Sequence, residues 1–269
     1  MVVFRPPQAK EKLRGEIFLR NKRNWDILSL IKKERFFMLI RIEDHILYED
    51  KDMIVCHKPA GTAVQSARIG SMDMESALKN YLAQKEPKKM PYLGIVHRLD
   101  QPVEGILVFA KNQKAAGELS RQMASGEMAK TYLAVTGKKP QNKEGRLEDW
   151  LKKDGKTNTS FVVKEKSQGA KKAVLSYELL DREETEGGEQ YLMKIHLETG
   201  RHHQIRVQMA HGGMPLLGDR KYNAEEKSQT ALALCSAELV LKHPSTKKKM
   251  EFKTVPSGNG FAEFFRENK

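Results

Sequence analysis

The chain has 269 residues, 39% of them hydrophobic, enough for one large domain or two modest ones with a real core. Lys and Arg outnumber Asp and Glu by 48 to 35, and the resulting +13 favours a polyanionic partner such as nucleic acid, although a solvated basic face accounts for it nearly as well. No apolar run reaches bilayer-spanning length, Pro6 and Pro7 interrupt the amino terminus, and Cys56 and Cys235 are too few for a disulfide framework, so a reduced cytoplasmic protein with no membrane partner is expected.

Residues 1–37 carry ten Lys or Arg against four Asp or Glu and read as a basic extension. Within it Trp25, Ile27, Leu28 and Ile31 recur at roughly helical spacing, which fits a short amphipathic helix, and the segment reads as a tail that helps hold nucleic acid, a packing arm or a poorly ordered extension. Residues 38–269 read as one domain, since no linker or fixed-period repeat divides them. IRIEDHILYEDKDMIV, from Ile40 to Val55, predicts two short strands broken by acidic turn residues, and HKPAG then turns the chain. A helix follows, with Ser71 as its expected cap and Met74, Ala77, Leu78, Tyr81 and Leu82 on one apolar face.

The central stretch PYLGIVHRLDQPVEGILVFAK sets two apolar runs, Tyr92–Val96 and Ile106–Ala110, around a polar loop holding His97, Arg98, Asp100, Gln101 and Glu104. The runs read as buried strands, and a polar loop between rigid strands is a natural place for a reactive carboxylate. Asn112 is expected to cap a second helix that ends at Gly126, and Lys130–Val135 to form a strand. Residues 137–169 have weak periodicity and read as an exposed lobe or long loop. Ala173–Leu180 and Gln190–Glu198 read as paired strands around the turn DREETEGGE, RHHQIRVQMAHGG as a short helix, and the last part as a hairpin. The fold class expected is α+β, with a mixed, mainly antiparallel sheet and flanking helices and loops.

Asp100 alone is an ordinary turn residue. KTYLAV and TGRHHQIR change its weight, because they supply Tyr132 on a nearby strand and several basic groups after Gly200. A catalytic carboxylate must stay ionised when partly desolvated, and an arginine beside it lowers its pKa by about 1 to 3. Arg206 is the candidate partner, while Tyr132 can offer a flat face to a base and a phenol to a proton.

Together, KPAG at Lys58–Gly61, HRLD at His97–Asp100 with Gly105, K-x-Y at Lys130–Tyr132, GRHHQIR ending at Arg206 and GD-x-x-Y at Gly218–Tyr222 resemble the RluA-type pseudouridine synthases. The resemblance covers about residues 40–255. It implies the pseudouridine synthase fold and an RNA-modifying isomerase that detaches a uracil from C1′ and rejoins it through C5. Asp100 matches the family's essential aspartate, Tyr132 its stacking tyrosine, Arg206 the aspartate's basic partner and Ile205 the apolar pocket neighbour. Arg98 matches a residue that enters the space vacated by the flipped base, and His97, Arg201, His203 and Gln204 fall within the same motifs as substrate-binding candidates. The implied partner is ribosomal or transfer RNA, engaged by a monomer without an organic cofactor.

Two departures stand out. Val103 and Glu104 replace the small polar pair many relatives carry before the glycine, which bears on loop hydrogen bonding and substrate choice. The amino terminus also lacks a convincing S4 module. Two other functions compete: an RNA-binding or assembly protein on the same fold, and a hydrolase using His196, His202, His203 and His211. Those four histidines lack the helical i, i+4 spacing of a zinc protease, so no metal is expected.

Overall fold

The computed structural model describes residues 2–4, 41–66, 73–226 and 230–265. The predicted cap Ser71 and the proposed helix around Trp25 lie outside them. Among the described residues twelve strands form a single sheet: β1 (Val2–Phe4), β2 (Ile46–Glu49), β3 (Met53–Lys58), β4 (Gly94–Ile95), β5 (Glu104–Ala110), β6 (Ala129–Thr136), β7 (Glu144–Asp154), β8 (Thr159–Val163), β9 (Lys171–Thr185), β10 (Gly188–Leu197), β11 (Leu234–Lys242) and β12 (Lys249–Thr254). The main order is β2-β3-β5-β11-β6-β10-β9-β7-β8, with β4 beside β5 and β12 bridging β11 and β1. Among the described residues only β5–β11 and β1–β12 pair in parallel. The helices are α1 (Met74–Lys85), α2 (Gln113–Ala124), α3 (Gln204–His211) and α4 (Ala262–Phe265). This is the α+β, mainly antiparallel architecture expected from the sequence. Among the described residues no helix is long and apolar enough to cross a membrane.

Strands β3 and β5 are buried at every position, and strand alternation sends their side chains into two cores. Ile54, Cys56, Leu107 and Phe109 join Leu78 and Leu82 of α1 on one face; Met53, Val55, Ile106 and Val108 join Ala115 and Leu119 of α2 on the other. The sheet is therefore sandwiched at its centre. Ile205 and Met209 of α3 share the α1 face with Tyr132, so that face carries the cavity described below.

Several boundaries differ from expectation. Asp73, rather than Ser71, caps α1, accepting from Ser76 N at 2.8 Å, while Asn112 caps α2 as expected. Only Gly94–Ile95 of the run before Asp100 is a strand. Ile42–His45 form a one-turn 3-10 helix ahead of β2, and Lys58 ends β3, so the turn begins at Pro59. Residues 137–169 are not a loop but hold the β7–β8 hairpin. In β7 only Leu151 is buried, so no apolar alternation marks it, and pairing with β8 and β9 on its two edges defines it instead. The DREETEGGE run likewise continues β9 and β10 to a tight turn at Glu186 and Gly187.

Candidate active site

Asp100 sits in the loop that leads into β5, and two interlocked turns hold it there. Lys58, fully buried at the end of β3, donates to the carbonyls of Pro59 at 2.9 Å, Thr62 at 2.7 Å and Gln101 at 3.0 Å. Three acceptors match the three N–H groups of an ammonium, although burial pushes the Lys58 amine down to about 7. Gly61 N donates back to Gln101 O at 2.9 Å, and the Gln101 amide donates to Gly61 O at 3.0 Å. The KPAG turn is thus a clamp on the residue next to Asp100. Gly105, at φ +121°, lets β5 lie against the Ser236 backbone of β11, where a Cβ would collide.

From the other side comes α3, whose first six residues are all buried. Side-chain amides tie it to the sheet. Gln204 Nε2 donates to Val174 O at 3.0 Å and to Gln208 Oε1 at 2.9 Å, while Gln208 Nε2 donates to Asp149 Oδ2 at 2.9 Å. Arg206 then projects between two carboxylates: Nε and Nη2 grip Asp219 at 2.8 and 2.7 Å, and Nη1 reaches Asp100 Oδ2 at 3.3 Å. Its firmer partner is Asp219, whose side chain is wholly buried, while that of Asp100 is 26% exposed. The bidentate fork fixes the guanidinium plane and leaves Nη1 for Asp100.

His203 approaches the same oxygen, with Nε2 3.5 Å from Asp100 Oδ2. Tyr222 Oη accepts from Ser160 N at 2.8 Å and is hydrogen-bonded to His203 Nδ1 at 2.6 Å, which leaves Nε2 facing Asp100. Burial, reinforced by Arg206 and His202, pushes His203 down to about 3 and keeps it neutral. His202 stacks on His203 at 3.8 Å and bonds Ser160 Oγ through Nδ1 at 2.8 Å, which ties the unexpected hairpin to the site. The other histidines of the metal alternative point elsewhere, His196 to Thr131 and His211 to Asp149.

Asp100, Tyr132, Arg206, Arg98, Ile205, His97, Arg201, His203 and Gln204 all line one cavity of about 890 Å³. They are not equivalent. Tyr132 is buried on β6, and desolvation raises its phenol well above the ordinary range, so it stays protonated at neutral pH. Gln204 has its amide committed to the scaffold, and His97 accepts from Val108 N through Nε2 at 3.3 Å, its imidazole held neutral by burial. Arg201 donates to Lys172 O at 2.8 Å. Arg98 is exposed and forms no ion pair among the described residues. Five cationic side chains, Arg98, Lys130, Lys153, Arg201 and Arg206, line the cavity against two carboxylates, Asp100 and Glu198.

Sequence reasoning gave no role to Asp219, Tyr222, Ser160 or Lys130. The first two stand in the GD-x-x-Y run, so a signal was present. Glu104 points away from the cavity: its carboxylate accepts from Ser257 Oγ at 2.7 Å and Gly258 N at 3.0 Å.

Residues 52–211 match the family model described as RNA pseudouridylate synthase. The chain belongs to the RNA pseudouridylate synthase family. It is 33% identical over 203 residues to the uncharacterized RNA pseudouridine synthase YhcT of Bacillus subtilis, an alignment covering 75% of this chain and 65% of that protein. It is 31% identical over 262 residues to ribosomal large subunit pseudouridine synthase D of Haemophilus influenzae, covering 91% of this chain and 76% of that one. These relatives agree with the RluA-type resemblance. Human RNA pseudouridylate synthase domain containing 4 shares the fold at a TM-score of 0.67 and 21% identity, over 89% of this chain and 95% of that one. For human RNA pseudouridylate synthase domain containing 1 the TM-score is 0.64 at 23% identity, over 79% and 83%.

Proposed function

We propose that this chain isomerises uridine to pseudouridine in structured RNA, with ribosomal or transfer RNA as the substrate class. The observation that carries the reading is the convergence of Asp100, Arg206 and Tyr132, from three separate parts of the chain, on one cationic cavity in a fold of this family. Chemistry at C1′ and C5 requires the nucleotide to leave its stack, which costs about a few kcal/mol and calls for a pocket of this kind. Asp100 acts at the sugar, either by attack at the nucleoside or by removing a sugar proton. Arg206 and His203 Nε2 hold its carboxylate oriented. The C1′–N1 bond breaks, the uracil turns, C1′–C5 forms, the C5 proton leaves and N1 is protonated. Electrons balance without a redox partner. Tyr132 and Ile205 hold the uracil, and unpaired Arg98 fills its vacated place in the helix. The basic extension, residues 1–37, adds affinity to a catalytic domain spanning 38–269.

Asp100→Asn tests the reading. Pseudouridine formation on unmodified total RNA is expected to fall below detection while RNA affinity stays within about threefold, because the phosphate contacts that dominate affinity are untouched. Full activity in this variant, or no activity in the wild type, moves the chain to the non-catalytic RNA-binding reading.

A further inference from the structure

Lys130 has no task in the fold that its charge explains. It stands two residues before Tyr132 on β6, so both side chains leave the same face of the strand and line the same cavity. Its ammonium donates to the thioether of Met123 at 3.5 Å and makes no ion pair among the described residues. The cavity's two carboxylates are already engaged, Asp100 by Arg206 at 3.3 Å and Glu198 by Arg146 at 3.1 Å. A partly buried cation set against a thioether costs stability, and a methionine of similar length would fill the space without that cost. Burial lowers its pKa, with no carboxylate to oppose the shift. Gly200 faces the ammonium, where an added Cβ would come into ordinary contact with Nζ at 3.9 Å, so the lack of a side chain there leaves that space beside Nζ unfilled.

We propose that Lys130 binds a backbone phosphate of the nucleotide that enters the cavity, and so fixes how deeply that nucleotide is seated over Asp100. The inference rests on the RNA isomerase reading. A phosphate is the favoured occupant over a uracil carbonyl because a full anion offsets a desolvated ammonium in a way that a neutral acceptor does not.

The test uses the full chain, Lys130→Met and Lys130→Arg, with total RNA from cells lacking the protein. For Lys130→Met the apparent KM is expected to rise about tenfold with kcat changed less than about threefold, and the slope of log affinity against log salt to fall by about one phosphate's worth. Lys130→Arg is expected to restore both. The Tm of Lys130→Met without RNA is expected to be unchanged or higher. A fall in kcat with KM and salt slope unmoved, or a Tm lowered by more than about 5 °C, overturns the phosphate role in favour of a structural one. A wild type that forms no pseudouridine overturns the isomerase reading instead; the salt slope of binding then judges Lys130 separately, and an unchanged slope in Lys130→Met overturns the contact.

Discussion

The two walls of the cavity are built by different physics. The Asp100 wall rests on β3 and β5, strands buried at every position, with one lysine clamping the loop through backbone carbonyls. On the Arg206 wall a short helix is held by side-chain amides and a buried ion pair. Packing holds the first wall even when a polar contact goes. In the second the polar contacts are the support, and losing one strands a charge or an amide.

The largest effect is therefore expected from Asp219→Ala, which leaves the Arg206 guanidinium buried with only Asp100 beside it. Stability in urea unfolding should fall by about 3 to 5 kcal/mol, and activity with it; a loss below about 1 kcal/mol would show that packing also holds the Arg206 wall. Lys58→Met should behave in the opposite sense. It removes a desolvated cation while orphaning three carbonyls, so stability should move by only about 1 kcal/mol, whereas kcat should drop more than about tenfold as the Asp100 loop loosens. Equal losses of stability in both variants would erase the distinction between the walls.

A further effect concerns protons. His57, His97 and His203 are each pushed down to about 3 by burial. Below about pH 6.5 the unfolded chain takes up protons that the folded chain refuses, so stability falls as the pH drops toward 3, at up to about 1.4 kcal/mol per pH unit for each histidine. His97→Asn, whose amide oxygen can still accept from Val108 N, should flatten the stability slope between pH 6 and 4.5 by about one proton. An unchanged slope would mean that His97 titrates normally and that the Asp100 wall is less dry than its packing indicates.

The same division governs what could be read from the sequence. The Asp100 wall was legible because apolar runs, a glycine and a flanking loop are local signals, and β5 and α2 fall near their expected positions. Of the Arg206 wall the helix α3 and the motifs were legible, but not the contacts that hold them. Nothing local links Gln208 to Asp149 or Tyr222 to Ser160, which meet across 59 and 62 residues of chain. The β7–β8 hairpin escaped notice because polar side chains line both faces of β7, and backbone pairing leaves no trace in composition. What Val103 and Glu104 do could not be read locally: Val103 is buried in the core, and Glu104 faces Ser257 and Gly258.

That last contact ties the timing of assembly to the order of synthesis. The loop carrying Asp100 is made early, yet the strand behind it pairs with residues 235 and 236, and its Glu104 carboxylate finds its donors 153 and 154 residues downstream. A chain still being translated, or one cut short before Ser257, carries every residue of the HRLD motif but leaves a buried carboxylate unanswered at its base. This wall of the cavity is completed from the carboxyl-terminal side, since the carboxylate behind the Asp100 loop is answered only once Ser257 and Gly258 are in place.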